Sequence, residues 1–487
     1  MAFPAHSTTL EAIARRLGFG SIRGDGSVAI SSVTLDSRQV AFGSLFCALD
    51  GQVKHGREFA GEALSRGAEA VLVEGDSIDD LSFRGQLIVP LGQGRAAVAQ
   101  AACELYGDPS ASVSVVGITG TNGKTTTAYA LGHILRVAGW EVRVLGTLTG
   151  ERTTPEAPEL QEAFAEVRRR GELSMRRSSA VLEVSSHALA QSRVEGTKFA
   201  LSIFTNLSRD HLDFHRDMES YLAVKATLFT PELSSEGLYL LEDEHGQQIA
   251  QGAQIPMRGV SLDEIAHLEL GLGRSSFTWR ERAVVTRFTG RLNVMNLLLA
   301  AEAAVQLGVD PALVLEGLSS CPPVPGRFEL LEGHPKQPVV VVDYAHTPAS
   351  VSAALIALRE LIAARTAVVI GCGGARDEGK RAEMARAAVD NAEVVVITTD
   401  NPRNEDPMAI VTQMLTGLSQ SERELKVIVE LDRARAIEIA LESAGPDGLV
   451  AILGKGHESY QEIGAERLPF DDRLVAAEML ARFGTER

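Results

Sequence analysis

The sequence predicts an α/β protein in three successive parts, and three observations carry that reading. A β-branched run, Ser112-Val113-Ser114-Val115-Val116, leads directly into the glycine turn Gly117-Ile118-Thr119-Gly120-Thr121-Asn122-Gly123 and a helix start at Lys124. Short apolar runs at 339–342, 367–370, 394–398 and 449–453 alternate with helical stretches, the pattern of a parallel sheet covered on both faces. A length of 487 residues suits about three domains, and two breaks divide it: the turn cluster at 106–110 and the proline-rich stretch 322–326.

The first part mixes strands at 71–73 and 87–89 with helical stretches such as 57–66. The second opens on the glycine turn and continues with apolar strands at 180–184 and 200–204. The stretch 322–326 reads as a stiff linker into the third part. There the glycines at 371, 373 and 374 lack the Gly-x-Gly-x-x-Gly spacing, so no dinucleotide site is read.

Hydrophobic content of 45% and charged content of 23% are those of an ordinary globular chain. A net charge of −17 argues against a nucleic acid as the main partner, so an anionic ligand would need local basic pockets. Cys47, Cys103, Cys321 and Cys372 are scattered without metal-ligand pairing, as in a reducing compartment. No leader pattern opens the chain and no apolar run is long enough to span a bilayer, so the cytoplasm is the expected location.

Glycines let backbone N–H groups approach an anion, and a helix start adds partial positive charge. Lys124 would reach terminal phosphates and the Thr125 hydroxyl would ligate Mg²⁺. The spacing departs from Gly-x-x-x-x-Gly-Lys-Thr, because position 118 is Ile118 and the glycine stands at Gly117. A glycine turn with a surface lysine is the bland reading; the strand-turn-helix context favours a nucleoside triphosphate site.

Other residues stay open at this level. Glu183 ends an apolar strand, where a carboxylate faces the ligand crevice of a parallel sheet and suits Mg²⁺, or is simply solvated. His211 and His215 have a spacing that can ligate metal but also occurs on helix faces that hold nothing. Lys225 reads as an ordinary helix lysine. In Asp400-Asn401-Pro402-Arg403, Pro402 fixes a turn and Arg403 offers a fork for a carboxylate; a solvated arginine is the default. The loop Gly454-Lys455-Gly456-His457-Glu458 follows an apolar strand in the same way.

Taken together, these segments resemble the Mur ligases, and among them the MurE type. The resemblance runs in order through Leu35-Asp36-Ser37-Arg38, the turn at 120–126, Thr153-Thr154-Pro155, Glu183-Val184-Ser185-Ser186-His187 and the stretch 205–215. It continues through Gly290-Arg291-Leu292-Asn293, Pro325-Gly326-Arg327, Asp343-Tyr344-Ala345-His346-Thr347-Pro348 and the two C-terminal loops. What it implies is an ATP-dependent ligase of peptidoglycan precursor synthesis. Its substrates would be UDP-N-acetylmuramoyl-L-alanyl-D-glutamate and meso-diaminopimelate, joined through an acyl phosphate. The implied layout is a UDP-substrate-binding α/β domain at 1–108, a central P-loop-type ATP-binding domain at 109–324 and a Rossmann-like amino-acid-binding domain at 325–487. A monomer is expected.

By that resemblance, Gly120, Thr121, Asn122, Gly123, Lys124, Thr125, Thr126, Asn293, Arg327, Asp343 and His346 contact ATP. Thr125 and Glu183 hold one Mg²⁺, and His211 with Lys225 as a carbamate holds a second. Lys124, Glu183, His211 and Lys225 form the catalytic set. Ser37, Thr153, Thr154, Ser185, Gln191 and Arg193 meet the UDP substrate. Arg376, Asp400, Asn401, Pro402, Arg403, Gly454 and Glu458 meet diaminopimelate, whose extra carboxylate suits Arg403 and whose ammonium suits Glu458. Lysine in such a site would leave donors unpaired, at about 1–3 kcal/mol each. The chain departs from the family's usual pattern at Leu292, Ala349 and Ala375. The alternatives are the same ligase taking L-lysine, a folylpolyglutamate-synthetase-like or MurF-like amide ligase, and a nucleotide-binding scaffold without turnover.

Overall fold

The computed structural model describes residues 6–51, 54–150, 152–334 and 336–482. The reading of the chain's start as lacking a leader falls on residues 1–5, outside these. Three large sheets organise the described residues, and the second and third are the mainly parallel ones that the alternation of apolar runs predicted. In the first, Ser21–Gly24, Gly85–Val89, Ala68–Glu74, Ser44–Ala48 and Ser32–Thr34 lie side by side in that order, all parallel except the antiparallel first pair. The helical stretch expected at 57–66 is a short 3₁₀ turn followed by the helix Ala60–Ser65.

The second sheet is six-stranded and parallel, in the order Met257–Val260, Gly237–Leu240, Phe199–Phe204, Ser114–Thr119, Ser178–Glu183, Glu141–Leu145. Strands Ser114–Thr119 and Ser178–Glu183 are buried on both faces, which is why they read as unbroken apolar runs rather than alternating ones. Helix Lys124–Val137 packs Ala128, Leu131, Ile134 and Leu135 onto one face, backed by the alanine- and leucine-rich helix Arg291–Gln306. A three-stranded antiparallel sheet, Ile265–Leu270, Ser275–Trp279 and Arg282–Thr286, joins the same core through Phe277, Trp279 and Val284. It escaped the sequence reading because its strands are mostly half-buried or exposed and carry no long apolar run. Buried Glu302 ties it down, accepting from Trp279 Nε1 (2.7 Å), Arg258 Nη1 (2.6 Å) and Arg280 Nη2 (2.8 Å).

The third sheet runs Glu329–Leu331, Val339–Asp343, Leu449–Leu453, Thr366–Ile370, Val394–Ile397, Val427–Val429, with only the first strand antiparallel. The hairpin Tyr460–Ile463 and Glu466–Pro469 follows it. The stretch read as a stiff linker is not a free spacer. Val324 within it and Cys321 just before it are fully buried in the core around the second sheet. Among the described residues no helix is long and apolar enough to cross a membrane.

Candidate active site

The carboxyl ends of the second and third sheets face one cavity of about 1480 Å³, the place where parallel α/β sheets take ligands. Strand Ser114–Thr119 ends at its floor, and the chain turns through Gly120 and Gly123 (φ 84) into helix Lys124–Val137. Gly120 leaves no room for a side chain, because a Cβ there would collide with Thr205 Oγ1. The turn is braced by the loop after the next strand. Thr121 N donates to the Asn206 carbonyl (2.8 Å), Asn122 N to Asn206 Oδ1 (3.0 Å), and Thr205 Oγ1 to the Asn122 carbonyl (2.6 Å).

Lys124 curls over this turn, its Nζ donating to the carbonyls of Gly120 (2.9 Å) and Thr121 (2.8 Å). Thr125 Oγ1 donates to Glu183 Oε2 (3.0 Å) and accepts from Arg327 Nη2 (3.1 Å). Glu183 is buried, not solvated as its bland reading allowed. Its carboxylate also accepts from Thr147 N (3.0 Å) and Thr147 Oγ1 (3.2 Å), and it forms no ion pair among the described residues. A buried carboxylate flanked by hydroxyls, with no cation on it, is a hard-oxygen donor set that fits Mg²⁺. No cluster of three or more metal-ligating side chains stands ready among the described residues. An ion there would take its remaining ligands from phosphate and water, as Mg²⁺ commonly does.

Lys225 is not an ordinary helix lysine. It is buried beneath the turn on helix Met218–Ala226, and its Nζ donates to the same Gly120 carbonyl that Lys124 uses (2.9 Å). Burial first, and then the neighbouring Lys124, hold its amine well below the ordinary lysine range. Burial likewise pushes the His211 imidazole down to about 3, leaving it neutral and able to act as a ligand. His211 has a positive φ of 56 and its ring stands 4.9 Å from that of His187. His215, the other half of the spacing, turns away to Ser186 Oγ (2.8 Å).

Asp210, which the sequence reading gave no role, lies at the meeting of two domains. Burial works against its charge, yet His346, His211 and Lys380 hold its carboxyl well below the usual range. His346 Nε2 is 3.7 Å away and Lys380 Nζ 3.4 Å, both from the third domain.

The other residues expected at ATP line the same cavity. Asn293 Nδ2 donates to the Thr289 carbonyl (2.9 Å), and the Arg327 guanidinium lies 4.2 Å over the Tyr344 ring. Asp343 accepts from Phe328 N (2.7 Å) and Ala345 N (2.9 Å), while burial raises its carboxyl. His346 Nδ1 meets the Tyr344 carbonyl (2.8 Å). Leu292, half exposed, is part of the cavity wall rather than of a core.

On the opposite side of Glu183, Thr153, Thr154, Ser185, Gln191 and Arg193 gather on the wall. Thr154 Oγ1 donates to the Glu183 carbonyl (2.8 Å), and Arg193 reaches the Thr154 carbonyl (3.0 Å) and Gln191 Oε1 (2.7 Å). Ser37 is not on that wall; it is buried in the first domain with its Oγ on Glu62 Oε2 (2.9 Å).

The third-domain loops close the far end. Arg403 is not a solvated turn residue: with φ 52, it donates through Nε to Glu462 Oε2 (2.9 Å) and through Nη1 to the Gly374 carbonyl (2.7 Å). Its backbone pairs with the missed hairpin, Arg403 N to the Glu462 carbonyl (3.0 Å) and Gly464 N to the Arg403 carbonyl (2.7 Å). Asp400 and Asn401 are nearly buried, and Pro402 lies behind the wall, its carbonyl against Gly374. Arg376 is exposed on the rim with no ion pair among the described residues. Gly454 (φ 112) lets Asp400 Oδ2 come within 2.6 Å of where its Cβ would be. Glu458 also lines the cavity. Glu462 and Arg467 of the hairpin line it too, and nothing in the sequence signalled them.

A glycine turn at a helix start thus faces a carboxylate-and-guanidinium pocket across one cavity, and the comparisons say which class of protein carries this arrangement. Residues 118–304 match the Mur ligase middle domain, 326–456 the Mur ligase glutamate ligase domain, and 29–106 the Mur ligase family catalytic domain. The chain belongs to the Mur ligase family. Among its relatives is the UDP-N-acetylmuramoyl-L-alanyl-D-glutamate–2,6-diaminopimelate ligase of Streptomyces avermitilis, 38% identical over 98% of this chain and 97% of that one. The ligase of the same name from Syntrophomonas wolfei is 39% identical over 93% of this chain and 94% of that one. A solved structure under that name is 30% identical, covers 98% of this chain and 99% of its own, and has a TM-score of 0.64. MurF from Acinetobacter baumannii, 17% identical with full coverage of both chains and a TM-score of 0.68, shares the fold. So does a folylpolyglutamate synthase from Thermotoga maritima, 18% identical over 73% of this chain and 89% of that one, with a TM-score of 0.53.

Proposed function

We propose that this chain joins meso-diaminopimelate to the γ-carboxylate of UDP-N-acetylmuramoyl-L-alanyl-D-glutamate, splitting ATP to ADP and phosphate. The observation that carries the reading is a single cavity with the phosphate turn at one side and the 400–403 and 454–458 loops at the other. The carboxylate of the UDP substrate, received near Thr154, Ser185 and Arg193, attacks the γ-phosphorus of ATP, and ADP leaves. The acyl phosphate so formed is attacked by the amine of the amino acid, which loses a proton as phosphate departs. Activation is needed because a carboxylate is a poor acyl donor.

In this reading Lys124 lies along the phosphates, Thr125 and Glu183 hold one Mg²⁺, and His211 and Lys225 hold a second. Bound Mg²⁺ supplies positive charge where the transferring phosphoryl group gathers negative charge. Support for a carbamate on Lys225 comes from its burial beside Lys124, which disfavours the ammonium relative to the free amine whose lone pair adds to CO₂ with release of a proton. The carbamate would turn a cation beside Lys124 into an anionic oxygen ligand. Arg376 and Arg403 take the distal carboxylate of diaminopimelate, and Glu458 an ammonium. The reading places the reaction in the cytoplasm and expects a monomer, and size-exclusion chromatography checks the oligomeric state.

The test is phosphate release with Mg²⁺, ATP and UDP-N-acetylmuramoyl-L-alanyl-D-glutamate, comparing meso-diaminopimelate with L-lysine. Release with diaminopimelate alone supports the reading. Release with lysine alone keeps the ligase and overturns the amino acid, and release with neither overturns both.

A further inference from the structure

Lys455 follows strand Leu449–Leu453 and Gly454, and its side chain is fully buried. Its Nζ donates to the Tyr460 carbonyl (2.6 Å), Glu458 Oε2 (3.1 Å) and Asn401 Oδ1 (3.2 Å). An ammonium has three N–H donors, so this one is saturated and has no bond left for a ligand. Its influence must pass through its partners.

Asn401 is equally constrained. Its Oδ1 takes Lys455 Nζ and Glu462 N (2.9 Å), two donors for two lone pairs, which fixes the end of the amide that is oxygen. Nδ2 then donates to Glu458 Oε2 (2.8 Å). Glu458 Oε2 therefore receives both Asn401 and Lys455. Its Oε1 has no partner among the described residues, on a side chain that lines the cavity.

We propose that Lys455 is a positioning residue for amino-acid recognition: it locks Asn401 and one oxygen of Glu458 so that the other oxygen meets an ammonium of the incoming amino acid. This rests on the amino-acid site proposed above. A ligand-binding carboxylate that is already held loses less freedom on binding, and a neighbouring cation keeps its charge from standing alone in a half-buried wall. A second buried cation anchors the same loops independently. Arg433 pairs with Asp472 (2.7 Å) and donates to the carbonyls of Leu453 (3.0 Å) and Thr399 (3.4 Å). The loops thus keep their footing when Lys455 is replaced.

The test is steady-state kinetics on the full chain for wild type, Lys455→Met, Glu458→Gln and the double variant. Lys455→Met is expected to raise KM for diaminopimelate about ten- to hundredfold, the loss of charge-assisted hydrogen bonds. KM for ATP and KM for the UDP substrate stay as in wild type, while the three lost buried hydrogen bonds lower the melting temperature. The double variant should be no worse than the worse single one, because both changes act on one contact. An unchanged KM for diaminopimelate, an equal rise in all three KM values, or effects that multiply would each overturn the proposal. Should Lys455→Met not fold, Lys455→Gln is read by the same criteria. Wild type is assayed first. No phosphate release with diaminopimelate removes the amino-acid site and this inference together; release with indifferent Lys455 variants removes this inference alone.

Discussion

Replacing Gly326 with alanine tests whether the junction between the second and third domains is held by close backbone packing. Gly326 has φ 62, a conformation that costs an L-residue about 1–2 kcal/mol. An added Cβ would also overlap His457 N and Gly456 C and come within 2.8 Å of Gly456 Cα. These are backbone atoms that cannot rotate away, so the junction and the 454–458 loop must separate, at about 1–3 kcal/mol more. The total of about 2–5 kcal/mol corresponds to a melting temperature roughly 4–20 °C lower for a domain of this size. Separation would also draw Arg327 from Thr125 Oγ1, where it now sits at 3.1 Å, so KM for ATP should rise. Gly139→Ala is the control: its φ is 82 but nothing lies within 4 Å of the added carbon, so only the conformational term applies. Differential scanning fluorimetry and ATP kinetics on both variants decide the matter. Equal melting shifts in the two variants, with an unchanged KM for ATP at Gly326→Ala, would refute the reasoning.

Lys225→Ala should lower kcat about a hundredfold or more while leaving the fold intact, since one transition-state charge stabiliser is worth that much; a fully active variant would remove the carbamate. A short carboxylic acid added to that variant should restore part of the rate if an anionic oxygen is what was lost. Arg403→Lys should raise KM for diaminopimelate about tenfold or more and leave KM for ATP unchanged, because lysine cannot reproduce the planar fork; equal rises would give the loop another role. Glu422 is held down to about 2 by the Arg386 guanidinium and by Ser419. A depressed carboxyl stabilises the fold above its unfolded value and loses that contribution as pH falls toward its folded one. The melting gap between wild type and Glu422→Gln should therefore narrow from pH 6 to pH 3, and a gap constant across that range would count against the pairing.

The sequence by itself determined what depends on near neighbours. A β-branched run followed by Gly120, Gly123, Lys124 and Thr125 points to a strand, a glycine turn and a helix start from near neighbours alone. The buried runs of the third sheet were legible for the same reason, since strands covered on both faces admit few polar residues. The tertiary structure alone decided the rest. Lys225 looks like any helix lysine until Gly120, 105 residues away, lies over it and burial disfavours its charged form. Asp210 meets Lys380 across 170 residues, and Arg403 is held by Glu462 across 59. Burial and charge compensation belong to surfaces brought together by folding, so a side chain's chemistry there is set by partners that its own stretch of sequence does not contain.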